Sequence, residues 1–166
     1  MNHGKAYALV LFIAACGSGS KTPPPELSAI GVKPAGEGRP KLWLTAQETP
    51  SSVTLTVRYE KGETAAPRVA DIRIAHSESL VLADSAAGAG ALAAGKELTT
   101  QEPQPGVVRL VLLSRDAHEL GTGELAQLNF KKNAPGPAKV DILMDRPVFA
   151  PAESMQGLAI GDPLDL

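Results

Sequence analysis

Cysteine is nearly absent from this 166-residue chain: Cys16 stands alone, so no disulfide framework can hold a fold together. Aromatic residues make up only 4%, too few to build a stacking platform of several rings for a single-stranded nucleic acid. Basic residues do not dominate either, with Lys+Arg at 16 against Asp+Glu at 18, and no basic stripe is interleaved with aromatics. Nucleic acid is therefore excluded as a partner. No apolar run reaches the roughly 20 residues that a membrane-spanning helix requires. Catalytic signatures are missing too. There is no Gly-x-Ser-x-Gly, no paired-carboxylate motif and no His-x-x-x-His spacing, and His76 and His118 read as turn or strand-end residues. Asp162 and Asp165 read as a solvated acidic terminus, because a calcium site needs about six oxygen ligands. The chain is thus expected to be no enzyme and to use no cofactor and no metal.

What is present begins at the amino terminus. Lys5 supplies a positive charge, Ala6 to Ala15 is uncharged, and Ile13, Ala14 and Ala15 lead directly into Cys16. That order is the order of a secretory signal peptide, and the last four residues resemble the lipobox of bacterial lipoproteins. The resemblance implies cleavage between Ala15 and Cys16 and acylation of the Cys16 thiol, palmitate included, which makes the membrane a partner. Two acyl chains already give stable anchoring. Gly17, which is not Asp, implies the outer membrane by the sorting rule of such lipoproteins. The expected division is therefore a signal peptide at 1–15, a lipidated cysteine with a disordered Pro/Gly-rich tether at 16–40, and a folded domain at 41–166.

Within the domain, apolar and polar residues alternate at period two in short runs broken by Gly, Pro and Ser. Val53, Leu55, Val57 and Tyr59 interleave with Thr54, Thr56 and Arg58, and further runs are 42–44, 69–75, 80–83, 107–114, 124–131 and 139–144. This is the pattern of strands. The Ala/Gly-rich stretch 86–95 reads as a loop, since Gly88 and Gly90 each cost a helix about 1 kcal/mol against Ala. With no helices to cover a sheet, two sheets must cover each other, and an all-β sandwich is expected.

The stretch from Asp71 to Leu82 is similar to the cohesin motif of a strand, a short turn and a leucine-bearing strand, with His76, Ser77 and Glu78 where that family has Tyr-Asp-Pro. Gly121 to Phe130 resembles the cohesin run of a glycine, an alternating strand and a closing Phe, and Val148, Phe149 and Leu158 to Ile160 resemble its closing strands. The resemblance implies a jelly-roll type β-sandwich, related in fold to carbohydrate-binding modules. It also implies a non-catalytic module that grips a dockerin-like protein or serves an envelope assembly for secretion, pili or motility.

One strand points to where a partner would dock. Val108, Leu110 and Leu112 fill one face of the run 107–113, while Val107, Val111 and Leu113, interrupted by Arg109, fill the other. One face is core. The second is expected to be a docking surface, with Arg73 and Asp71 as its polar rim. Binding of a polysaccharide is the alternative and rests on Trp43, which alternates against Leu42 and Leu44.

Overall fold

The computed structural model describes residues 29–166 apart from 115, 146 and 147. The signal peptide, its cleavage site at Ala15 and the lipidated Cys16 lie outside the described residues. Eleven strands run in chain order: β1 (Lys41–Glu48), β2 (Ser52–Glu60), β3 (Val69–His76), β4 (Leu80–Ala87), β5 (Glu97–Gln104), β6 (Val107–Leu113), β7 (Gly123–Lys132), β8 (Lys139–Leu143), β9 (Phe149–Ala150), β10 (Ala159–Ile160) and β11 (Leu164–Asp165). A short helix, α1 (Ala89–Ala93), joins β4 to β5.

The strands form two sheets, β10-β1-β2-β7-β4 and β11-β8-β3-β6-β5, with β9 pairing the start of β3. Alternation sets which side chains meet between them. From the first sheet come Leu42, Leu44, Val53, Leu55, Val57, Tyr59, Leu128 and Phe130; from the second come Ile72, Ile74, Val108, Leu110, Leu112 and Val140, none more than 2% exposed. Each fully buried Leu or Ile of this set contributes about 1.5–3 kcal/mol of transfer free energy, which is how a core without disulfides holds. Tyr59 meets Phe149 edge to face at a centroid distance of 5.1 Å, closing one end of that core.

Three points depart from the sequence reading. The tether does not extend to residue 40: Ile30 pairs with Ala46 through bonds of 2.7 and 2.8 Å, and Lys33 pairs with Glu60. The reason is the free edge of β1, which β10 covers at Lys41 and Leu42 and Ile30 covers further on. Second, 86–95 is not a loop. Gly88 stands at the N-cap of α1, outside the helix, where a Cβ would lie 2.4 Å from the Glu124 carbonyl oxygen, so the glycine permits a close approach without costing the helix, and Ala91 is wholly buried. Third, β5 was hidden by its polarity. Its sequence is Glu-Leu-Thr-Thr-Gln-Glu-Pro-Gln, an exposed edge strand whose register against β6 shifts between Gln101 and Gln104, around Pro103. Asp162 and Asp165 are exposed, as expected of a solvated acidic terminus, although the backbone there pairs with β8 through Leu164 and Asp165, and Leu164 is buried.

Candidate partner-binding face

The second sheet presents its other face outward, and β6 runs through its middle. Register places Val111 between Asp71 of β3 and Thr99 of β5, Arg109 between Arg73 and Gln101, and Leu113 opposite Glu97. On the far side of β3, Leu143 stands opposite Arg73 and Asp141 opposite Ala75. The four residues expected to bind a partner, Arg73, Arg109, Val111 and Leu113, are therefore brought together on one surface. Leu113 is 43% exposed, Val111 is half-buried and Val107 is buried.

Two arginines directly opposite each other across adjacent strands repel. Each is neutralised by its own carboxylate. Arg109 donates from Nε and Nη2 to the two carboxylate oxygens of Asp71, at 2.8 and 2.7 Å, a bidentate fork that fixes the guanidinium in the plane of the face. Those hydrogen bonds, and then the charge of Asp71, push the Arg109 pKa above its ordinary value. Arg73 pairs with Asp145, a partner beyond the end of β8 that strand patterning gives no means of finding. The result is a pre-set polar rim around two apolar side chains. A partner docking here meets groups whose rotamers are already ordered, which lowers the entropy cost of association.

Shallow hollows flank the face. One of about 270 Å³ is lined by Val69, Asp71, Val148, Phe149 and Ala150, and one of about 310 Å³ by Ala75, His76, Ser77, Lys139 and Asp141. Another hollow, about 410 Å³, lies elsewhere, where the edge strands β4 and β5 approach and the Ser85 and Thr100 hydroxyls meet at 2.9 Å. The hollow at His76 also holds Ser77 and Asp141, but the Ser77 hydroxyl is engaged by the Lys139 backbone, accepting from its amide at 2.8 Å. His76 uses Nδ1 with the Ser77 carbonyl at 3.1 Å and tilts over Phe130, whereas His118 lies beyond β6 near the opposite end of β3.

Trp43 belongs to the first sheet and is only 9% exposed. The backbone at Gly161 crosses it so closely that a Cβ there would sit 2.6 Å from the Trp43 Cβ. A side chain with so little exposure leaves a small area for stacking a sugar.

No family model and no curated protein matches the chain. Solved structures do. The sixth cohesin of scaffoldin B from Acetivibrio cellulolyticus, in complex with a Cel5 dockerin mutant, aligns at a TM-score of 0.60 over 75% of this chain and 96% of its own, with 19% identity. The domain has the cohesin fold. The third cohesin of ScaC from the same organism, in complex with a ScaB dockerin, aligns at 0.59 over 76% of this chain and 96% of its own, with 12% identity. CaCohA2 from Clostridium acetobutylicum aligns at 0.58 over 78% and 90%, again with 12% identity. Identities this low establish a shared cohesin fold and leave function to the residues of this chain.

Proposed function

We propose that this protein is a non-catalytic docking module, held to the cell envelope through lipid on Cys16, that grips a dockerin-type protein with the outer face of the β8-β3-β6-β5 sheet. The observation that carries the reading is the juxtaposition of Val111 and Leu113 with a forked, pre-ordered Arg109 on an uncovered sheet. Arginine is among the side chains that interface centres favour, and Val111 and Leu113 add apolar area beside it. Two of the structural relatives are cohesins in complex with dockerins, which supports the class of partner. The sequence Ile13-Ala14-Ala15-Cys16 supports the anchor, and Gly17 supports the outer membrane. Anchoring would make the module a recruiter of its partner or a part of an envelope assembly. Calorimetric titration with the Cel5 and ScaB dockerins tests the partner class: saturable one-to-one binding is expected, and no heat with either would overturn it.

A further inference from the structure

A second, buried device lies at one end of the proposed docking face. Lys96 is only 3% exposed, yet no carboxylate pairs with it among the described residues. Its ammonium carries three donors and all three are used. They go to the Arg68 carbonyl at 2.7 Å, the Ser114 hydroxyl at 3.1 Å and the His118 carbonyl. Ser114 in turn donates to the Asp116 carbonyl. The side chain is steered inward by the end of α1, where the Gly95 amide bonds the Leu92 carbonyl and the Lys96 amide bonds that of Ala91. That is a Schellman stop, and it needs the left-handed Gly95 (φ 64). Burial, and then the charge of Arg68, lowers the Lys96 pKa, the mark of an ammonium that has exchanged water for protein oxygens.

The acceptors are not scattered. Arg68 immediately precedes β3 and Ser114 immediately follows β6, the two central strands of the face; His118 lies on the segment that leads from β6 to β7. That segment is also tied by the Leu120 amide to the Pro67 carbonyl at 2.7 Å, with Leu120 wholly buried. The His118 carbonyl turns inward onto the lysine and the Asp116 carbonyl onto Ser114, next to Leu113 in the chain; Asp116 is exposed, while Glu119 pairs with Lys61 at 3.8 Å, away from the face. We infer that Lys96 is a positioning residue, which ties the start of β3 at Arg68, the end of β6 at Ser114 and the His118 backbone into one fixed rim of the docking face and so presents Leu113 and Asp116 to the partner in one arrangement. This rests on the docking reading above. A buried cation suits the task because breaking any one of its bonds leaves a desolvated charge, so the rim opens only at a high cost.

Hydrogen exchange and dockerin titration on the same variants test it. In Lys96→Met, the Leu120 amide should exchange about ten-fold faster or more, with β3 and β6 still protected, because the opening is local. Affinity for the dockerin bound by the unaltered protein should fall about ten-fold, the cost of ordering a freed rim on binding. Ser114→Ala, which removes one acceptor and keeps the ammonium, should move both readouts in the same direction by less, and it guards against a Lys96 variant that does not fold. Unchanged exchange at Leu120 in both variants would overturn the clamp. Faster exchange with unchanged affinity would overturn the rim while leaving the docking face intact. If the unaltered protein binds no dockerin, the docking reading and the rim's service to it fall together, and exchange alone then judges the clamp.

Discussion

Replacing Val111 by Asp separates a docking strand from a merely central one. Val111 is half-buried, so the change forfeits about half the 1.5–3 kcal/mol of a fully buried Val. It also sets a carboxylate directly opposite Asp71 in the strand register, a like-charge pair that costs roughly 0.2–1 kcal/mol. The total is about 1–2 kcal/mol, or roughly 3–10 °C in Tm for a domain of this size. An acid at Leu110, the adjacent core position with 0% exposure, should instead cost more than about 4 kcal/mol and unfold the protein. Dockerin affinity should drop disproportionately in Val111→Asp, by about 30-fold for the loss of a 2 kcal/mol anchor. Calorimetry beside a melting curve reads both. If Val111→Asp melts like the Leu110 variant, the strand is simply central; if it binds like the unaltered protein, the face is not the docking surface.

Three further outcomes follow from particular contacts. Gly88→Ala should lower Tm, because its Cβ would meet the Glu124 carbonyl oxygen and Ala is also the poorer residue at the N-cap that Gly88 occupies; a gain in Tm would contradict the close packing. Burial, and then the charge of Glu119, pushes the Tyr59 phenol up to about 12. The fold therefore holds that proton harder than the unfolded chain does, so the contribution is complete below the ordinary phenol value and is lost as pH rises toward 12. Tyr59→Phe should abolish this alkaline loss without weakening the protein at neutral pH, since the hydroxyl is buried with no hydrogen-bond partner; denaturant titrations at pH 7 and pH 11 check it. Cys16→Ser should release the protein from membranes or leave its precursor unprocessed, and equal amounts of mature, membrane-bound protein in that variant would refute lipid anchoring.

Strand patterning made most of the sandwich legible, because each central strand buries one face and alternation at period two is the direct mark of that burial. β2 and β6 are read correctly for this reason, and the outward set Arg109, Val111 and Leu113 comes with them. Edges follow other rules. β5 buries little and contains Pro103, so it carries no alternating signal, and with it went Thr99 and Gln101, the neighbours of Val111 and Arg109. Long-range closure is equally silent in sequence. Nothing in the Pro/Gly-rich stretch shows that Ile30 completes the edge of β1, and nothing local shows that Asp145 answers Arg73. Lys96 left one trace, a glycine after an alanine-rich run, which marks a helix stop but not where the lysine points. Trp43 alternates against Leu42 and Leu44, but the backbone at Gly161 that packs against it comes from the far end of the chain, which no local pattern shows.

The most direct test is a map of the bound surface by backbone amide chemical shifts as a dockerin is titrated into the labelled protein. The account predicts that the largest changes fall on Asp71, Arg73, Thr99, Arg109, Val111 and Leu113, with the opposite sheet at Thr54, Thr56 and Asn129 unmoved. Changes concentrated on that opposite sheet, or along the edge between β4 and β5, would contradict it.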